Sequence, residues 1–142
     1  MGYAQIQSTR PMTLAYGLND SPVGQLAWII EKFKEWTDPE SELPEQAVDG
    51  DRLLTNVSLY WFTGTAGSSA NLYYETANDR SLWAPRPRGT VPTAVAVSLT
   101  QDIAIRRFAE RDHNIVRWTE SERGGHFMTL EAPDFLICCR RG

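Results

Sequence analysis

The apolar positions of this chain change their period once along its length. In SPVGQLAWIIEKFKEW, Ser21 to Trp36, Val23, Leu26, Ala27, Ile30 and Phe33 recur at helical spacing with Glu31, Lys32 and Lys34 between them. That pattern predicts an amphipathic helix with its charges toward water. Ser21 is the expected N-cap and Pro22 the first helical residue, where a missing N–H costs nothing. The acidic stretch DPESELPEQAVDGD, interrupted by Pro39, Pro44 and Gly50, predicts an exposed loop. A second helix is expected in DRLLTNVSLYWFTGT, with Asp51 at the end the helix dipole favours and Leu53, Leu54, Val57, Tyr60 and Trp61 spaced for burial. Beyond Gly64 and Gly67, SSANLYYETA reads as a third helix capped by Ser68 or Ser69.

The pattern turns strand-like after APRPRGTVP, whose three prolines and one glycine make an extended connector. Ala94 to Val97 form a short run rich in β-branched residues, IAIRRFAERD is helical, and Asn114 to Trp118 form a second run. Strand, helix, strand within about 25 residues is the mark of a parallel crossover. A closing helix is expected from Pro133, with Phe135 and Leu136 toward the core. The expected organisation is therefore a helical segment over residues 1–84 and the end of an α/β sheet over 85–142.

Composition narrows the class. Of the 142 residues, 42% are apolar and 23% charged, with 14 Lys+Arg against 18 Asp+Glu for a net charge of −4. This is one soluble domain's worth of chain, though short for most α/β enzymes. No apolar run approaches the ~20 residues of a membrane span, and GYAQIQ after Met1 has no basic start leading into an apolar stretch. Scattered charges leave no electrostatic footprint for nucleic acid. Cys138 and Cys139 are adjacent and almost terminal, so they can neither staple a fold nor complete a four-ligand metal site. A reducing cytoplasm is the expected compartment.

Two histidines carry the candidate chemistry. His113 lies between a charged helix end and a strand, where a surface role is the simplest account. His126 follows a glycine pair in ERGGHFMTLEAP, and paired glycines admit backbone conformations and close approaches that other residues forbid. A turn histidine without consequence is the alternative. Catalytic groups of open α/β sheets collect at the carboxyl ends of strands. His126 follows the second run and Asp102 the first, so parallel neighbours would bring both to one edge, as the His–acid part of a nucleophile–His–acid triad. Taken alone, Asp102 reads as the N-cap of a helix starting at Ile103. No G-x-S-x-G or Gly-Gly-Asp elbow is present.

The segments GYAQIQSTRPMTLAYGLNDSPVGQLAWIIEKFKEWTD, LLTNVSLYWFTGTAGSSANLYYE and RGGHFMTLEAPDFL, in that order, resemble the carboxyl-terminal portion of the α/β-hydrolase-fold epoxide hydrolases, the branch of the microsomal enzyme and its bacterial relatives. The resemblance runs from Gly2 to about Leu136. It implies an Asp nucleophile that opens the epoxide to an ester, two cap tyrosines that hydrogen-bond the epoxide oxygen, and a His–acid pair that activates the hydrolytic water. The family's histidine falls on His126 and its tyrosines on Tyr3 and on Tyr74, next to Glu75; by helical spacing Tyr73 serves as well. A phenol can donate to an oxygen gaining charge without being a strong acid. Tyr3, two places from the terminus, is expected to fray unless something precedes it. The acid falls on Gln101 if counted without a gap and on Asp102 with a one-residue slip, because VSLTQD departs from the family's Phe-Pro text. Asp102 is the expected acid, since Gln101 cannot hold a negative charge and strand-end loops tolerate single insertions.

The resemblance also implies residues 1–84 as the cap and 85–142 as the end of the hydrolase core. The substrate would be a small apolar epoxide with water as co-substrate, and no metal or organic cofactor is implied. Trp28, Tyr60, Trp61, Phe62 and Tyr73 suit such a substrate, although core packing explains them equally. The amino-terminal half of the family, with its nucleophile, has no counterpart here, and ICCRRG departs from the family's closing helix as a frameshift or truncation would. The chain is thus expected to be a fragment without activity by itself. Two alternatives stand beside this: a non-enzymatic interaction or self-associating module, and one half of a split hydrolase whose amino-terminal half is separately encoded.

Overall fold

The computed structural model describes residues 2–140; the side chains of Trp83 and of residues 138–140, the cysteine pair among them, lie outside the described residues. In chain order the elements are α1 (Gly2–Thr9), α2 (Pro11–Asp20), α3 (Pro22–Trp36), α4 (Pro44–Ala47), α5 (Gly50–Thr63), α6 (Ala66–Asn78), a 3-10 turn (Arg80–Trp83), β1 (Pro92–Ser98), α7 (Arg106–Asp112), β2 (Asn114–Ser121), α8 (Met128–Glu131) and α9 (Pro133–Arg140). The chain divides into two compact units, Met1–Glu31 with Gly50–Pro85 and Lys32–Asp49 with Arg86–Gly142. No described helix is long and apolar enough to cross a membrane.

The first unit is helical. Pro11 cannot continue the ladder of α1, whose last turn closes through the Arg10 N–H on the Ile6 carbonyl (2.8 Å), and it starts α2 instead. Ser21 accepts the Gly24 N–H on its hydroxyl at 3.0 Å, the cap expected for α3. The buried stripe of α3 differs from the expected one: Val23 is 71% exposed, whereas Gln25 is 1% exposed. Its amide donates to the Val57 carbonyl of α5 at 2.8 Å, which satisfies the buried polar group. Leu53 and Val57 are buried on α5 as their spacing predicts, but Leu54 is 54% exposed. Helix α6 begins earlier than expected, with Thr65 in the cap position. The Ser68 and Ser69 hydroxyls donate back to the Thr65 and Ala66 carbonyls rather than capping. Gly67 lets α6 approach α2, since a Cβ there would lie 3.0 Å from that of Ala15.

The second unit holds the sheet. β1 and β2 pair in parallel from Pro92 opposite Asn114 to Ser98 opposite Ser121, with one irregularity between Thr93 and Ala94. Both strands outrun the apolar text that signals them, because their carboxyl ends bury serines rather than hydrophobes: Ser98 and Ser121 are both buried. The helix between them starts only at Arg106, with Ile105 in the cap position. Asp102 is therefore not a helix cap. Helix α4 interrupts the expected acidic loop, and the short α8 precedes α9, which begins at Pro133 as predicted. Phe33, from the last turn of α3, stacks on Phe127 at 4.1 Å and 22°.

Candidate active site

The loops leaving β1 and β2 are joined by hydrogen bonds. After β2, Ser121 donates its hydroxyl to the Arg123 carbonyl at 2.9 Å and begins the turn to Gly124. The Gly124 carbonyl accepts the Ser98 hydroxyl and, at 2.5 Å, the Thr100 hydroxyl, both from the carboxyl end of β1 and the loop after it. Gly124 has φ +82°, a conformation that favours glycine. Gly125 is required for a different reason: a Cβ there would lie 2.4 Å from the Trp36 carbonyl oxygen and 2.7 Å from the Asp38 nitrogen. The backbone of the turn thus lies directly against residues 36–38, and the His126 N–H donates to the Trp36 carbonyl at 2.7 Å.

Two carboxylates complete the attachment. Asp38 accepts the Gly124 N–H at 2.8 Å. Glu131, at the end of α8, accepts three backbone N–H groups: Asp38 and Gly125 on one oxygen, each at 2.8 Å, and Phe127 on the other at 3.0 Å. Charge-assisted bonds of this kind are stronger than neutral ones. They fix both neighbours of His126, while its own side chain remains exposed. The imidazole ring lies 5.2 Å from the Trp36 ring at 66° and 5.1 Å from the Phe127 ring at 89°, edge-to-face in both cases. A solvent-accessible imidazole on a rigid turn can accept a proton from water.

The candidate acid occupies the neighbouring loop. Asp102 accepts the Ser98 N–H on its carboxylate at 2.8 Å and returns its own N–H to the Ser98 carbonyl at 2.9 Å. Among the described residues no hydrogen bond joins Asp102 to His126. Gln101, the ungapped position, donates its amide to the Thr37 carbonyl at 3.2 Å, one residue from the carbonyl that holds His126. His113 is exposed at the end of α7, away from this turn in sequence and in bonding.

The candidate tyrosines belong to the first unit. Tyr3 is half-buried rather than frayed, and its ring meets that of Tyr73 edge-to-face at 6.0 Å and 84°. Packing between α1 and α6 supplies the hold that sequence position alone does not suggest. Tyr73 and Tyr74 are similarly exposed, at 38% and 39%. Tyr73, not Tyr74, also lines a cleft of about 580 Å³ with Ala4, Gln5, Ser8, Leu72 and Thr76.

Asp38 and Glu131 carry no sequence signal of this role. Glu131 sits four residues after Phe127 at the foot of a short helix, a spacing that signals only a local cap. Its bond to Asp38 spans 93 residues and leaves no local trace. Among the described residues, no group of three or more His, Cys, Asp or Glu side chains could hold a metal ion.

No family model matches the chain. A Stigmatella aurantiaca protein named as a candidate epoxide hydrolase is 43% identical over 136 residues, covering 93% of this chain and 30% of that protein. Epoxide hydrolase 1 of Sus scrofa is 35% identical over 145 residues, 95% of this chain and 32% of the relative. The crystal structure of juvenile hormone epoxide hydrolase from the silkworm Bombyx mori superposes with a TM-score of 0.88 at 32% identity, over 98% of this chain and 35% of that one. The structure of Aspergillus niger epoxide hydrolase gives 0.70 at 30% identity, over 96% of this chain. The chain spans about a third of the length of the relatives it matches.

Proposed function

We propose that these 142 residues, which match the carboxyl-terminal portion of the α/β-hydrolase-fold epoxide hydrolases, supply the water-activating and oxygen-polarising groups of an epoxide hydrolase. The observation that carries this reading is the Gly124–Gly125–His126 turn, which holds an exposed imidazole at the carboxyl end of a parallel strand pair. The substrate class is a small apolar epoxide. A carboxylate attacks one ring carbon, the carbon–oxygen bond breaks, and the oxygen takes a proton from a tyrosine hydroxyl. His126 then removes a proton from water as that water attacks the ester carbonyl and returns it to the departing alcohol oxygen as the ester bond breaks. The carboxyl group so released gives its proton to the tyrosinate, which restores the carboxylate and the phenol beside the diol.

Asp102 is the proposed acid, orienting His126 and stabilising its cation once the loop turns its carboxylate from Ser98 to the imidazole. Tyr3 is one proposed oxygen donor and the Tyr73–Tyr74 pair contains the other; the ring contact with Tyr3 favours Tyr73. Since no Gly-Gly-Asp elbow occurs in the sequence, the nucleophile belongs to residues outside these 142, on the same polypeptide or another. The 142-residue chain by itself is inactive on this reading, and its partner is the amino-terminal portion of the fold. Cysteine usage is the basis for placing it in the cytoplasm.

The test combines the chain with the amino-terminal portion of the Stigmatella relative and follows diol formation from a styrene-type epoxide. The combination should turn over and the 142 residues alone should not. His126→Gln should lower turnover by about 10²–10⁴-fold and leave an ester on the nucleophile. Asp102→Asn should also slow ester hydrolysis severely. Turnover by the 142 residues alone, or unchanged rates in His126→Gln, defeats the reading.

A further inference from the structure

We infer that Glu131 is the positioning residue of His126, acting with Asp38 through the backbone on either side of it. The inference rests on the reading of His126 as the base. Glu131 does not touch the imidazole. It accepts the N–H of Gly125 before the histidine and of Phe127 after it, at 2.8 and 3.0 Å, and ties both to the Asp38 N–H at 2.8 Å. Asp38 returns the connection by accepting the Gly124 N–H at 2.8 Å. Four consecutive residues, 124–127, therefore have their N–H groups committed: one to Asp38, one to the Trp36 carbonyl and two to Glu131.

A cap of α8 alone needs only the Phe127 bond. The other two bonds of Glu131 lie outside that helix, and one reaches the segment whose Trp36 ring flanks the imidazole. The carboxylate thus sets the distance between the histidine backbone and one wall of its ring. A neutral amide cannot replace it, because its NH2 group would face at least one N–H donor. An aspartate is one methylene too short to span all three donors.

The test is nuclear magnetic resonance on the 142-residue chain, which needs no turnover. The imidazole signals of His126 and His113 are the only two of their kind, so His113 is an internal control. Glu131→Gln should move the His126 ring signals away from positions set by the Trp36 and Phe127 rings and leave those of His113 in place. Glu131→Asp should move them the same way. If the His126 signals stay as fixed as those of His113, the inference is overturned. A measurement on the unaltered chain covers the case in which the variants fail to fold. The amides of Asp38, Gly125 and Phe127 should exchange with solvent at least about tenfold more slowly than open-loop amides; exchange at open-loop rates overturns the inference as well. In the combined enzyme, Glu131→Gln should lower kcat and KM together and leave kcat/KM unchanged, because only hydrolysis of the ester is slowed. Absence of diol formation from every combination would defeat the reading of His126 as the base, while the resonance measurements would still report on the clamp.

Discussion

The tyrosine-bearing unit and the histidine-bearing unit hold their candidate groups by different means. Tyr3 and Tyr73 stand on two helices and meet through side-chain packing, with ring centroids 6.0 Å apart. His126 stands on a turn whose shape is fixed by backbone N–H groups bonded to Asp38, Glu131 and the Trp36 carbonyl. Packing tolerates small displacements because apolar contact has no strict direction. Hydrogen bonds to a buried backbone do not tolerate them, since an orphaned donor costs its full desolvation. The histidine-bearing unit should be the more brittle of the two in its hold on the candidate group.

Glycine substitutions give the widest separation between the units. In Gly125→Ala the new Cβ would meet the Trp36 carbonyl oxygen at 2.4 Å, a backbone atom that cannot rotate away. We expect a loss of about 3 kcal/mol or more, read as a fall in Tm of about 10 °C. In Gly67→Ala the nearest atom is the Ala15 Cβ at 3.0 Å. A helical glycine replaced by alanine recovers up to about 1 kcal/mol of propensity, so the net change should stay within about 1 kcal/mol. Equal losses measured by thermal melting would erase the contrast between the two units.

The same contrast explains what was legible in the sequence. The bounds of α3 are set by Ser21, Pro22 and a local period, all within one helix, and the structure follows them. The buried pair Leu53 and Val57 is likewise a local signal. Gln25 runs against its residue type because its partner, the Val57 carbonyl, lies 32 residues away. Tyr3 looks unanchored for the same reason, its partner ring on Tyr73 being remote along the chain. In the turn, the glycine pair shows that close approach is needed but not what approaches. Residues 36–38 and Glu131 are brought there by the fold, and no spacing rule relates Asp38 to Gly124. Asp102 reads as a helix cap only if the helix starts at Ile103. Its carboxylate instead closes a loop on Ser98, and the helix begins at Arg106.

Activity should separate the tyrosines less widely than the glycines separate the units. Removing one preorganised donor from a developing oxyanion costs about 10²–10³-fold in turnover. Tyr3→Phe and Tyr73→Phe should each approach that range in the combined enzyme, with little change in Tm because the ring contact survives. Tyr74→Phe should cost under about tenfold if the Tyr3 contact marks the working pair. A larger loss from Tyr74→Phe would assign the second donor to Tyr74 and show that ring contact does not identify it.

The smallest effect is expected from a carboxylate near the turn that holds no backbone there. Asp134, at the start of α9, accepts a hydrogen bond from the Arg123 guanidinium, which holds its carboxyl below the ordinary value of 3.8. Both side chains are 64% exposed, so water and salt screen the pair. A carboxyl lowered in the folded state contributes stability above its unfolded pKa, and that contribution disappears as pH falls through the lower folded value. Asp134→Asn should therefore lower Tm at neutral pH only slightly, by the small contribution of a screened surface pair, and the difference from the unaltered chain should vanish as pH falls below about 4. The His126 ring signals should not move. Arg123 adjoins Gly124, so a shift of those signals in Asp134→Asn would mean that the surface pair also holds the turn, and that the two carboxylates bonded to its backbone are not enough to fix the imidazole.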